Sequence, residues 1–206
     1  MTNEKIKEAI EKALEYKGKR KFVQSLEIII NFKRLDMSKP ENRLNIEVQL
    51  KDRGKKNNVI FVGEDAVVYE LKKKMPEIKA LTLQEAEKID QKELKKLAKH
   101  SLFYASPKVI GNIAKIWGKI LGQRGKPPKP LLNEKQLQQA GDLTIISTKG
   151  KNLPTVQGLV GTENQNIDVL VENVNAVIDA VKKKINQSNI RSIYVKLTMG
   201  KPVRVM

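Results

Sequence analysis

The hydrophobic period of this chain changes twice along its length, and that change limits the folds open to it more than any other feature. Over residues 25–32, Leu26, Ile28, Ile30 and Phe32 fall on one side, with Ser25, Glu27 and Asn31 on the other. Residues 44–50 repeat the pattern more cleanly, setting Leu44, Ile46, Val48 and Leu50 against Asn45, Glu47 and Gln49. A period of two with one polar face suits an antiparallel sheet covered on one side and open to water on the other. Ahead of these strands, Ile6, Ala9, Ile10, Ala13 and Leu14 recur at helical spacing, predicting a helix over 3–16 with Thr2 or Asn3 as its cap.

Beyond the basic turn at 51–58 the alternation stops. Val59 to Val62 is a continuous apolar run ending at Gly63, as a strand buried on both faces would be. A helix-like stretch reaches Lys74, an apolar run covers Ile78–Leu83, and one long charged helix extends to about Lys99. Leu102–Ala105 reads as a third buried strand, Val109–Ile120 as a third helix, and a Gly- and Pro-rich loop over 122–130 closes the unit. Strands alternating with helices of this length imply parallel pairing. Hairpin-like strands then return at 143–148 and 155–160 around a turn at Gly150. They are followed by a helix over 167–185, with Val171, Val174, Ile178 and Val181 in phase, and a last strand at 192–198. The predicted fold is therefore mixed α/β and α+β in two domains. An α+β domain with a split antiparallel sheet comprises 1–57 and 143–206, and an inserted, Rossmann-like three-layer α/β domain comprises 58–142.

Charge speaks about partners rather than fold. Forty Lys and Arg against 23 Asp and Glu leave a formal +17, divided almost evenly among the three segments. Such a surface suits polyanions, nucleic acid first. No run approaches the ~18 apolar residues of a spanning helix, and the N-terminus has no signal-peptide pattern, so no membrane partner and a cytoplasmic location are expected. The absence of cysteine excludes disulfides, thiolate metal sites and cysteine nucleophiles together.

Catalytic patterns are missing as well. The lone His100 follows Lys99 at a helix end, where a capping or solvated role is the usual one. Gly63 is followed by Glu64-Asp65, whose charges would repel a pyrophosphate, rather than by a GxGxxG turn. Gly122, Gly125 and Lys126 have the wrong spacing for a phosphate loop, and Pro127 stands where Ser or Thr would hold magnesium. No enzymatic activity, metal or cofactor is expected.

Four segments carry more specific information: Lys19-Arg-Lys-Phe-Val-Gln-Ser-Leu-Glu27, Met37-Ser-Lys-Pro-Glu-Asn-Arg43, Leu121-Gly-Gln-Arg-Gly-Lys126 and Tyr194-Val-Lys-Leu-Thr-Met-Gly200. Together, and in this order, they resemble the ribosomal protein L-one family over essentially the whole chain, nearest to its archaeal form. The triplet Thr198-Met199-Gly200 is the most specific of these signals. Gln123 departs from the Pro common in the family's glycine-rich loop, and Pro127 from its usual Met. The resemblance implies an α+β domain from both termini with an inserted Rossmann-like domain. It also implies a monomer when free that binds the 23S-type rRNA of the large-subunit stalk. Contact with exit-site tRNA and a part in its release, with repression of its own mRNA, are implied too.

The same resemblance places the RNA-binding residues on the first domain. Arg20 and Lys21 can hold phosphates. Phe22 either stacks on a base or anchors the core. Ser25 and Glu27 share the polar strand face, where Glu27 is either a carboxylate paired with Lys or an acceptor for RNA hydroxyl and amino donors. Ser192, Lys196 and Thr198, at even offsets, point to one face; Met199 can cover a sugar or base, and Gly200 admits a close backbone approach. Gly161 and Lys151 complete the set. A general basic nucleic-acid chaperone or regulator is the alternative, and an enzyme built on the inserted domain is a distant third.

Overall fold

The computed structural model describes residues 2–18, 20–36, 39, 42–148 and 153–206. The chain divides into two compact units, residues 1–55 with 142–206, and residues 56–141. The divisions fall two residues and one residue short of those read from the sequence. The reasons are local: the Asn57 N–H donates to the Gly141 carbonyl at 2.9 Å, tying Asn57 to the second unit, while Asp142 accepts from the Leu50 and Arg53 N–H groups, each at 3.1 Å, tying it to the first.

In the first unit the strands are β1 (Ser25–Phe32), β2 (Asn45–Gln49), β7 (Leu143–Thr148), β8 (Thr155–Thr162), β9 (Ile190–Leu197) and β10 (Val203–Arg204). They form one sheet in the order β10-β9-β1-β8-β7-β2, antiparallel throughout. Strands β1 and β2, neighbours in sequence, are split apart by β8 and β7. Helices α1 (Asn3–Leu14) and α7 (Ile167–Lys182) pack on each other and on the sheet. Alternation decides which side they cover: Leu26, Ile28, Ile30 and Phe32 enter the core with Ile6, Ile10, Val174 and Ile178, while Ser25, Glu27, Ile29 and Asn31 remain half-buried opposite. Thr2 occupies the N-cap of α1 with extended backbone, though its side chain makes no capping bond.

The second unit holds a four-stranded parallel sheet, β4-β3-β5-β6, from β3 (Asn58–Gly63), β4 (Lys79–Thr82), β5 (Ser101–Ala105) and β6 (Lys129–Pro130). Its helices are α2 (Asp65–Lys74), α3 (Leu83–Glu87), α4 (Gln91–His100), α5 (Ile110–Gln123) and α6 (Glu134–Ala140). Alternate residues Ile60, Val62 and Phe103 meet Ala86, Leu94, Ile113 and Trp117 in one core, and Val59, Phe61, Leu102 and Tyr104 are buried as well. A strand buried on both faces has no polar side to show, hence the unbroken apolar runs.

The single long helix expected up to Lys99 is two. Thr82 and Glu85 form a capping box at the start of α3, and the Asp90 carboxylate accepts from the Gln91 N–H at 2.7 Å to begin α4. The first cap opens α3; the second meets an amide donor that a continuous helix would bond internally, and so starts a new helix after the break at Lys88–Asp90.

Helix α5 runs to Gln123, beyond the expected end at Ile120. It closes on Gly125, at φ +66°, with Gly125 N–H donating to Gly122 O and Lys126 N–H to Leu121 O. This is a Schellman closure, and Pro127 follows it where the helix has already ended. The Lys126 ammonium donates to the carbonyls of Ala98, Lys99 and Ser101 at the end of α4. Lysine at a helix C-terminus answers its negative dipole end, so the residue that superficially suggests a phosphate loop has a structural task. Replacing Gly125 by Ala is expected to destabilise the second unit by about 1–2 kcal/mol, from the left-handed backbone alone. A denaturation midpoint unchanged from wild type would contradict that.

Candidate nucleic-acid interface

The open face of the first sheet is set by register. Glu27 lies opposite Lys196, Ile29 opposite Tyr194, and Asn31 opposite Ser192, while across β8 their partners are Leu159, Gln157 and Thr155. Asn31 Nδ2–H donates to Ser192 Oγ at 3.1 Å and Asn31 Oδ1 accepts from Thr155 Oγ–H at 2.8 Å, so a polar row crosses three strands. Ser192 is thereby buried and already partnered, whereas its face-mate Lys196 is half-buried. The Lys196 ammonium turns to the Thr198 carbonyl at 2.9 Å. Glu27 consequently has no ion-pair partner among the described residues, despite its register with Lys196. The lysine-paired reading of Glu27 finds no partner among the described residues.

At the end of the sheet where β1 begins and β9 finishes, Thr198 acts as a clasp. Its N–H donates to Ser25 O at 3.0 Å, its hydroxyl accepts from Ser25 N–H at 3.2 Å, and it lies 3.3 Å from Ser25 O as a further donor. The hydroxyl thus serves the protein first. Around this junction Arg20, Lys21, Phe22 and Val23 are exposed. Phe22 and Met199 stand 52% and 57% accessible, which excludes the core-anchor role for Phe22. Arg20, Lys21, Phe22, Ser25, Thr198 and Met199 therefore gather at one end of β1 and β9, and Glu27 and Lys196 continue onto the open face.

The two glycines differ. Gly200 sits in the turn closed by its N–H to Leu197 O, and an added Cβ would lie 3.2 Å from Leu197 Cβ. Gly161 is buried at a bulge between β1 and β8, and a Cβ there would come within 2.3 Å of Leu170 Cδ2 on α7. Packing against the helix is reason enough for glycine at 161. Lys151 lies outside the described residues.

Gln24 escapes the sequence reading although it carries a signal. It falls in phase with Leu26, Ile28 and Ile30, so extending the alternation backwards places a polar side chain among the buried ones. It is 1% exposed, and Glu163, also buried, pairs with it. Gln24 N–H and Nε2–H donate to the two Glu163 carboxylate oxygens, each at 3.1 Å, and Glu163 N–H returns a bond to Gln24 O. The second Nε2 proton goes to Tyr16 O, and Gln24 Oε1 accepts from the Met199 N–H.

In the second unit, the carboxyl ends of β3 and β5 mark the place where open α/β sheets bind ligands. Here the Glu64 carboxylate accepts from Ser106 Oγ–H at 2.8 Å and pairs with Lys108 at 3.4 Å. The Ser106 bond, chiefly, holds Glu64 below the ordinary carboxylate range. A carboxylate anchored in that mouth disfavours a phosphate. Among the described residues there is no acidic and histidine cluster suited to a metal, and no helix long and apolar enough to cross a membrane.

Comparison with known proteins agrees over nearly the full length. The model of the Ribosomal protein L1p/L10e family matches residues 6–201. The chain is 34% identical to the large ribosomal subunit protein uL1 of Methanothermobacter thermautotrophicus, over 98% of this chain and 99% of that protein. It is 37% identical to uL1 of Methanocaldococcus jannaschii, over 100% and 96%, and 35% identical to uL1 of Saccharolobus solfataricus, over 93% and 90%. With a split antiparallel unit, a parallel α/β unit and a match from residue 6 to residue 201, the chain belongs to the ribosomal protein L1p/L10e family in its archaeal form, a family of structural ribosomal proteins rather than enzymes.

Proposed function

We propose that this protein is a component of the large ribosomal subunit that binds the rRNA of the mobile stalk near the tRNA exit site. The first unit supplies the contact. There the protein assists release of deacylated tRNA, and free of the ribosome it is a monomer that represses its own message by holding a similar RNA structure. The observation that carries this reading is the junction of β1 with β9. It exposes one aromatic ring and one thioether, Phe22 and Met199, beside Arg20 and Lys21, at the edge of a sheet face that holds Glu27, which has no ion-pair partner among the described residues. The chemistry suits RNA. Cations position phosphates without reading sequence, a ring can stack on an unpaired base, and an unpaired carboxylate accepts from a 2′-hydroxyl or a guanine amino group.

A diffuse basic binder is the rival, favoured by the even spread of the +17 charge. Binding of a stalk rRNA fragment and of an unrelated structured RNA of equal length, measured across a salt series, separates the two. Specific recognition keeps the stalk fragment ahead as salt rises, whereas counterion release alone makes both fade together. Within the same assay, Thr198→Val and Met199→Ala are each expected to cost on the order of 1–3 kcal/mol for the stalk fragment. Lys72→Gln and Lys73→Gln on α2 should change little, since Lys72 pairs with Glu85 and Lys73 lies over the Tyr69 ring. Equal losses at both places would move the interface away from the first unit.

A further inference from the structure

We infer that Gln24 and Glu163 form a buried positioning element for RNA recognition, fixing the Met199 turn from beneath. This rests on the reading of the β1–β9 junction as the RNA-contacting end. Burying a carboxylate with no cation beside it is unfavourable unless donors satisfy it, and Glu163 has no ion pair among the described residues. Its oxygens are met by Gln24 N–H and Nε2–H. That arrangement does something an apolar pair of equal volume cannot: it fixes which way the Gln24 amide points. A carboxylate accepts only, so the Gln24 NH2 must face it. The Gln24 Oε1 is then forced towards the Met199 N–H, from which it accepts at 3.1 Å, while the remaining Nε2 proton holds Tyr16 O just beyond α1.

The pair thus joins four parts of the unit: the end of α1, the residue before β1, the residue after β8 and the turn after β9. One residue on, the Thr198 clasp ties Ser25 to the same turn. Met199 is held by its backbone while its side chain projects into solvent, and a contact held in place before binding loses less freedom when RNA arrives. Gln24 and Glu163, both buried, touch no RNA themselves; they act through Met199.

The polarity of the network supplies the test. In Glu163→Gln the new amide has one acceptor for two donors: either its NH2 opposes the Gln24 backbone N–H, or its NH2 faces the Gln24 NH2 and the amide at 24 must turn over. In the second case the Met199 N–H meets a donor. In the double variant Gln24→Glu/Glu163→Gln the carboxylate stands at position 24. It accepts from both the new amide at position 163 and the Met199 N–H, while the oxygen that replaces Nε2 faces Tyr16 O, acceptor against acceptor, so that one contact opens. The experiment measures stalk-fragment affinity, preference over an unrelated RNA, the denaturation midpoint and the Met199 backbone amide resonance. Glu163→Gln is expected to shift that resonance and weaken the stalk fragment about tenfold, with little change for unrelated RNA. The double variant should return both to near wild type.

A folded Glu163→Gln protein that retains full affinity and preference overturns the proposal while leaving the RNA interface standing. If Glu163→Gln fails to fold, the double variant decides: wild-type affinity supports the proposal and weak binding overturns it. A wild-type protein showing no preference for the stalk fragment overturns the interface reading, and this proposal with it.

Discussion

Trp117→Ala should be among the most damaging single changes in the second unit, costing about 3–5 kcal/mol as a large aromatic removed from a packed core. Trp117 is 1% exposed and meets Phe103 edge to face, ring centres 5.7 Å apart. Ile60 and Val62 of β3, Ala98 of α4 and Ile113 of its own helix belong to the same cluster. A cavity there would strip contacts from β3, β5 and α4 at once. Affinity for the stalk fragment should stay within about threefold of wild type, because the proposed contact residues all lie in the first unit. Chemical denaturation combined with the binding assay checks both halves. A stable Trp117→Ala protein would contradict the packing argument, and a proportionate loss of RNA affinity would contradict the assignment of the site.

The second large effect is expected in the first unit, at Asn173. This α7 side chain is fully buried and bonds to the main chain at both ends of its amide. Its Oδ1 accepts from Lys51 N–H at 2.9 Å, and its Nδ2 protons go to Asp52 O and Val160 O at 2.7 and 2.8 Å. Asn173→Leu keeps roughly the same side-chain length and removes all three bonds, although Asp52 O keeps a second donor in Gln165 Nε2–H at 2.9 Å. Each orphaned buried group costs roughly 1–3 kcal/mol, and the segment at 51–52 can recover part of its loss from water, so about 3 kcal/mol is expected overall. Slower hydrogen exchange at Lys51 in that variant would show the opposite of what is expected.

Much of this architecture is legible in the sequence because water enforces the signal. Strand β1 has one wet face and one dry face, so Leu26, Ile28, Ile30 and Phe32 could not be shifted by one residue without turning the core outward. Strands β3 and β5 show the other extreme, buried on both sides and read as apolar runs. What escapes has no periodicity to show. Strand β6 is two residues in a proline-rich stretch, held by its register with Tyr104 and Ala105 of β5. Helix α6 has seven residues and β10 has two, too short for a repeat to emerge. The break between α3 and α4 is marked by Asp90, a good N-cap, yet lies hidden in a charged run that suits either one helix or two.

The candidate site divides in the same way. Arg20, Lys21, Phe22, Thr198 and Met199 are reached through family likeness, and tertiary pairing of β1 with β9 brings their separated segments together. No local pattern could settle Phe22, since an aromatic just ahead of a strand can turn either way. Its exposure depends on where the preceding residues run. Gln24 carries a usable hint, a polar residue in the buried phase. Its partner Glu163 lies 139 residues away, a distance that no local reading spans.

The place of β1 between β8 and β9 also dictates a timetable. On the ribosome that makes this protein, residues 56–141 contain every strand and helix of the second unit, which can fold as soon as they have emerged. Helix α1 and β1 emerge earlier but must wait, because both neighbours of β1 lie within residues 142–206. From the end of β1 at Phe32 to the end of β9 at Leu197, synthesis at ~5–20 residues per second takes roughly 8–33 s. The proposed RNA-contacting junction needs the segments before β1 and after β9 together, so it forms later than the whole of the second unit. Until β9 has emerged, a nascent chain lacks the surface proposed to grip RNA.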